Sequence, residues 1–308
     1  MYYMLNVNRL RMLREVAARG TIAAAAEALF MTPSAVSQQM AVLEREAGVE
    51  LLERRGRGVR LTDAGRTLVA STERILAEIE HAEAELASVS GGLVGRVRVS
   101  AFPTAARSVL VPALVSLRAE HPNLRVSVID LEPEEALPAL KARELDVVVT
   151  YEWDLLPTIE DPGIEREELL VERVFLALPA EHPLATRPGP VAVAELRDES
   201  WIVGRDATSM LDLVTAAGRR TGFEPRTEFH SMDFEVILAA VEAGLGVALV
   251  PPLALPGPMA GVKLREIADL EVNRTIWAAV RRGSGSAPGT AAVLAALRRA
   301  AGELPKLT

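Results

Sequence analysis

The chain has 308 residues, 49% apolar and 25% charged, which gives an ordinary soluble composition with material for two or three domains and well-filled cores. A net charge of −8 argues against a wholly basic nucleic-acid coat protein. The absence of cysteine removes disulfides, thiolate metal sites, cysteine nucleophiles and thiol redox switches.

The charge is uneven. Residues 1–66 hold ten Arg and no Lys against seven acidic residues, a net of +3, which leaves −11 on the remainder of the −8 total. A basic head on an acidic body fits nucleic-acid contact confined to one end. Arg9, Arg11 and Arg14 interrupt the first apolar residues, which is not the plan of a signal peptide. No uninterrupted apolar stretch reaches the ~20 residues that span a bilayer. The expectation is a cytoplasmic protein with no membrane contact.

Residues 7–19 predict a helix with Leu10, Leu13, Val16 and Ala17 on its apolar face, ended by Gly20. A short Ala-rich helix follows from Thr21, and a tight turn leads into a second helix. Thr32 is typed as the N-cap of that helix and Pro33 as its first residue, where a missing N–H costs nothing. Val36, Met40, Leu43 and Ala47 recur at helical spacing and predict the buried side. Ser34, Gln38, Ala41 and Arg45 point away, with Ser37 on the flank. Short hydroxyls and an amide suit the major groove, where Gln pairs two-pronged with adenine. A Gly-punctuated basic hairpin follows, and Arg54, Arg55, Arg57 and Arg60 there suit phosphates or the minor groove. The plainer alternative is a helical hairpin with a solvated basic loop. The order of capped helix, polar face and basic hairpin favours a DNA reader.

Residues 5–66 resemble the winged helix-turn-helix of LysR-type transcriptional regulators. The resemblance is carried by Ala24-Ala25, Glu27-Ala28-Leu29, Thr32 to Ser37, Leu43-Glu44, Gly48-Val49, Arg54, and Leu61 to Gly65. The chain departs from it at Pro33, where many members carry Gln, and at Leu52, where many carry Phe. The first departure removes a base or phosphate donor. The second is a core exchange.

Residues 62–89 predict one long helix capped by Thr62, with Asp63 beside the positive end of its dipole. Leu68, Thr72, Ile75, Ile79, Ala82, Leu86 and Val89 alternate at steps of four and three, a heptad stripe about three repeats long. Such a stripe can dock on a globular body or meet a second copy, and its length favours the second. Residues 88–95 form a small-residue linker.

From Arg96 onward, strands and helices alternate. Strands are predicted at 96–101, 124–131, 146–150, 169–178, 201–203, 246–250 and 274–280. Helices are predicted at 104–120, 134–143, 209–220, 233–243 and 288–302. The alternation argues α/β with largely parallel sheets. The resemblance extends here through Pro179 to Leu184 and Ala243 to Pro251. It implies a type 2 periplasmic-binding-protein-like body of two subdomains. The expected division is a DNA-binding domain over 1–61, a dimerisation helix over 62–89 and an effector-binding domain over 90–308. Within the last, subdomain I would comprise about 95–165 and 272–303, and subdomain II about 166–271.

In open α/β sheets ligands lie off the C-terminal ends of strands. Three corners qualify, and the candidate effector residues there are Ser100, Pro103, Thr104, Thr150, Tyr151, Trp201, Gly204 and Met232. Each has a structural alternative: Thr104 and Ser209 as helix caps, Thr150 as a strand end, Trp201 as core. Catalysis has no support, since His81, His121, His182 and His230 are scattered and no HExxH, GxSxG or P-loop pattern occurs. No metal or cofactor is expected. The reading is a sequence-specific transcription regulator that binds promoter DNA and a small-molecule effector. It works as a homodimer or homotetramer, with RNA polymerase as a further partner. The rivals are a cytoplasmic solute-binding module whose N-terminal helices serve only assembly, and an α/β enzyme with a fused dimerisation domain.

Overall fold

The computed structural model describes residues 4–55, 58–89, 93–158, 161–206, 208–257 and 259–305. The chain divides into two compact units, residues 1–93 with Arg282–Pro288, and Val94–Arg281 with residues 289–308.

The first unit opens with α1 (Val7–Arg19), α2 (Ile22–Ala28) and α3 (Pro33–Ala47). Each start is capped by a side chain: Asn6 accepts from Asn8 and Arg9, Thr21 from Ala24, and Thr32 from Ala35. Such caps stabilise each helix start by about 1 kcal/mol. Gly20, at φ +71°, turns its N–H back onto Val16 and ends α1 as expected. Leu10, Leu13 and Val16 of α1 pack with Ala25 and Ala26 of α2 and with Val36, Met40 and Leu43 of α3 in one core. Arg9 locks α1 onto α3, donating to Glu46 at 3.0 Å and to Gln39 at 3.2 Å. Glu44 then accepts from the N–H groups of Leu51 and Leu52. That fixes where β1 (Leu52–Arg55) begins, and β1 pairs antiparallel with β2 (Gly58–Leu61).

Thr62 caps α4 (Asp63–Val89), accepting from Gly65 at 3.0 Å while donating to Glu50 O at 2.8 Å. Gly65 is required at this corner, because an added Cβ would collide with the backbone carbonyl of Leu51. Gly65→Ala is expected to cost about 2–3 kcal/mol, read as a lowered unfolding midpoint. Leu68 and Val69 pack on the head core, and Thr72 and Leu76 are buried. Of the predicted stripe, Thr72 is covered within one chain while Ile75 stays 38% exposed beside covered Leu76. Four-residue steps from Leu68 follow the helix face turned toward the head. The side chains of Leu86 and Val89 lie outside the described residues.

The second unit carries a five-stranded sheet in the order β4-β3-β5-β12-β6. Here β3 is Gly95–Ala101, β4 Leu124–Asp130, β5 Val147–Trp153, β6 Ile164–Arg173 and β12 Asn273–Arg281. The first three are parallel, joined by α5 (residues 103–120) and α6 (Pro133–Lys141). In α5 residues Ala106–Leu110 form a π-helical segment. Pro112 follows two residues on, and its missing N–H leaves the carbonyl four residues back without the usual partner.

A second group of strands lies beyond. β7 (Phe175–Pro179) pairs antiparallel with β10 (Ala248–Val250) and β11 (Val262–Arg265). β8 (Ser200–Val203) runs parallel to β9 (Arg226–His230) and joins β10 through a bridge between Trp201 and Val247. α7 (Ser209–Arg220) and α8 (Phe234–Glu242) accompany this group, and α9 (Pro288–Gly302) closes the chain.

Two expectations need correction. The sheets are mixed rather than largely parallel, because β12 runs antiparallel to both β5 and β6, and the β10-β7-β11 group is antiparallel throughout. The predicted strand 169–178 is two strands on two sheets. β6 pairs with β12 as far as Arg173, so the chain stays on the first sheet beyond residue 166. It changes sheet at buried Val174, whose N–H donates to Val272 O at 2.9 Å on the return passage.

Candidate functional site

On α3 the polar face is free. Thr32, Pro33, Ser34, Ser37, Gln38, Ala41 and Arg45 are exposed, opposite buried Val36, Met40 and Leu43. The Thr32 and Ser34 hydroxyls lie 3.1 Å apart at the helix start. The two neighbouring glutamines part company: Gln39 accepts from Arg9, whereas Gln38 stands on the open face. In the hairpin, Arg60 is exposed and lies 3.8 Å from its cross-strand partner Glu53, a separation at which a surface pair contributes little. Arg54 and Arg55 lie on β1, but their side chains, and Arg57 altogether, fall outside the described residues. Sequence reasoning assigned nothing to Phe30, which sits in the turn before α3 at φ +54° and 98% exposed.

The second unit holds a cavity of about 470 Å³ lined by residues from both strand groups. Its floor is Arg274, the second residue of β12. The guanidinium donates to Glu172 at 2.6 Å through Nε and again through Nη2, and Nη2 also donates to Thr104 at 3.2 Å. It lies 5.1, 5.3 and 5.4 Å from the ring centres of Phe102, Tyr151 and Trp153. The rings meet edge to face, Phe102 on Tyr151 and Tyr151 on Trp153. Glu172 in turn accepts from Leu253 N at 2.8 Å, and Arg107 donates to Leu253 O at 2.7 Å.

At the rim stands Glu132, accepting from the Tyr151 hydroxyl at 3.1 Å. Burial pushes the Glu132 carboxyl above its ordinary range; the Tyr151 hydrogen bond opposes that without cancelling it. The Tyr151 phenol is raised as well, by burial and then by the neighbouring Glu132 charge. Asp233 and Glu235 approach from the start of α8, and Met210, Met232 and Phe234 supply apolar wall.

Of the effector candidates, Pro103, Thr104, Tyr151 and Met232 line this cavity. The other four do not. Ser100 and Thr150 are buried, with hydroxyls that find no hydrogen-bond partner among the described residues. Trp201 is core, its indole N–H donating to Leu196 O at 3.2 Å. Gly204 lies one layer back, where a Cβ would crowd Thr208, Met210 and Met232. Arg274, Arg107 and Glu132 were not foreseen. Glu132 was findable, because it sits at a strand-to-helix corner of the same kind as the one that singled out Thr104. Among the described residues no group of His, Asp and Glu gathers to hold a metal ion, and no helix is long and apolar enough to cross a membrane.

Residues 90–302 match the family model described as the LysR substrate binding domain, and residues 7–66 match that of bacterial regulatory helix-turn-helix proteins of the lysR family. The probable HTH-type transcriptional regulator LrrA of Synechococcus elongatus is 29% identical over 306 residues, 97% of this chain and 99% of that protein. Among solved structures, a mutant OxyR from Corynebacterium glutamicum superposes with a TM-score of 0.59 at 26% identity, covering 98% of this chain and 93% of that one. Full-length CbnR in complex with its target DNA gives 0.54 at 26% identity, covering 96% of this chain and all of the other (100%).

Proposed function

Because this chain belongs to the LysR family of DNA-binding transcription regulators with an effector-binding domain, we propose which of its residues perform each task. α3 enters the major groove with Thr32, Ser34, Ser37 and Gln38 toward base edges, and Pro33 offers apolar contact in place of a donor. Arg54, Arg55, Arg57 and Arg60 hold phosphates or reach the minor groove. The observation that carries this reading is the two-sided α3, with its apolar side spent on the head core and its short polar side open.

α4 joins two copies, so that two readers meet a two-fold-related promoter site. Ile75, left exposed beside buried Leu76, is available to that seam. The working assembly is a dimer or a pair of dimers, acting in the cytoplasm in contact with RNA polymerase. The cavity of the second unit takes a small effector. An effector that binds one arrangement of the oligomer more tightly than another shifts the population between them. The named relative is a regulator of transcription, and no catalytic role is assigned to any residue here.

The test is binding of the purified protein to fragments of its own upstream intergenic DNA at two salt concentrations. One fragment is expected to bind tightly, with affinity falling steeply as salt rises. Weak binding, equal on all fragments, would count against the reader. Arg60→Ala is expected to weaken binding on every sequence and to lower the salt slope by about 1 per reader. An unchanged slope would remove Arg60 from the phosphate contacts.

A further inference from the structure

The charge around the cavity narrows what can enter it. Three carboxylates converge there, Glu132 from the first strand group and Asp233 and Glu235 from the start of α8, and among the described residues none of them forms an ion pair. Of the two cations that line the cavity, one is neutralised within the protein and the other is not. Arg274 is neutralised by Glu172 and covered by three rings. Arg107 spends Nη2 on the carbonyls of Leu253 and Leu255. An incoming carboxylate would find three carboxylates against the single uncompensated charge of Arg107, and an occupied guanidinium at the floor.

The acids at α8 have a local explanation, since Asp233 caps the helix by accepting from Glu235 N at 2.8 Å. Glu132 has none. It stands at the cap position of α6, yet its side chain accepts no helix N–H. Among the described residues its one hydrogen bond is from Tyr151, and burial disfavours its charge. A half-buried carboxylate of this kind gains from a cation that arrives with the ligand.

We infer that the effector is a small organic cation, with an ammonium or amidinium group held by Glu132 and an apolar body lying against Phe102, Trp153, Met210 and Phe234. This rests on the reading of the cavity as the effector site. A volume of about 470 Å³ accommodates a ligand of one ring or a short chain.

The test uses the full-length protein and two probes of similar size and opposite charge, phenethylamine and phenylacetate. Binding is measured by calorimetry and by thermal shift. Phenethylamine is expected to bind and phenylacetate not to. Glu132→Gln, which removes charge with little change of shape, is expected to weaken phenethylamine about tenfold or more. Met232→Trp, which fills the cavity, is expected to abolish binding. If phenylacetate binds instead, is lost in Met232→Trp and is kept in Glu132→Gln, the cavity remains the effector site and the cation inference falls. Phenethylamine binding that survives both substitutions lies outside the cavity and overturns the inference together with the reading beneath it. Failure of both probes, and of agmatine and tyramine besides, overturns the inference as well.

Discussion

Arg274→Ala is expected to destabilise the second unit by about 3–5 kcal/mol, among the largest losses a single substitution can cause here. Arg274 is 1% exposed and Glu172 0%. They face each other directly across the β12–β6 pairing. Removing the guanidinium leaves a fully buried carboxylate holding only the Leu253 N–H. It also empties a position stacked against Phe102, Tyr151 and Trp153, where a desolvated cation gains up to about 2 kcal/mol from the rings. Glu172→Gln should cost a comparable amount, since it strands the cation. The paired change Arg274→Met with Glu172→Leu should recover most of the loss, because a buried ion pair stabilises little beyond an apolar pair of similar volume. Urea unfolding of the wild type, Arg274→Met, Glu172→Leu and the double variant that combines those two closes a mutant cycle. A loss under about 1 kcal/mol for either single substitution, against the several expected of a broken buried pair, would show that solvent reaches the pair. The position matters for function too. β6 and β12 lie next to the two passages between strand groups, and the pair reaches the second group through Leu253. A variant that folds with a loosened pair should therefore bind effector more weakly.

Why this pair was invisible in the sequence is instructive. Glu172 and Arg274 are 102 residues apart. Glu172 falls in an apolar run, Leu169 to Leu178, interrupted only by Glu172-Arg173, that reads as one strand. The break at Val174 carries no Gly, Pro or Asn, because the chain changes sheet while remaining extended, its N–H bonded to Val272, the residue just before β12. Turn chemistry is the usual mark of a strand end, and here there is no turn. Trp201 misled for a related reason. Its position beside Gly204 fitted a cleft wall, but its partner is the Leu196 carbonyl, five residues back.

The head was legible because its determinants are local. The caps Thr21, Thr32 and Thr62 each lie within three residues of the N–H they satisfy. Val36, Met40 and Leu43 share a face by helical geometry alone, and all three are buried. Along α4 the four-residue step Leu68, Thr72, Leu76 is covered within one chain, while the three-residue step to Ile75 leaves that side chain exposed.

Gln38→Ala is the substitution expected to change DNA choice most. A bidentate glutamine–adenine pair is worth about 1–3 kcal/mol of discrimination. A dimer presents α3 twice, so the loss on a two-fold site should approach about 2–6 kcal/mol, while non-specific binding, which phosphates dominate, should hardly move. Gln39→Ala is the matched control. It removes the same amide one residue along, where the side chain accepts from Arg9 and braces α1 against α3. Its expected signature is a small loss of thermal stability with sequence preference retained. The comparison is made by titrating both variants against the preferred fragment and against the same fragment with each adenine of the half-site replaced in turn. If Gln38 reads a base, one replacement should cost the wild type dearly and the Gln38→Ala variant nothing. If instead Gln38→Ala lowers affinity equally on all fragments, Gln38 touches the backbone. Discrimination would then fall to Ser34 and Ser37 on the same face, whose hydroxyls tolerate several bases and would give a looser consensus.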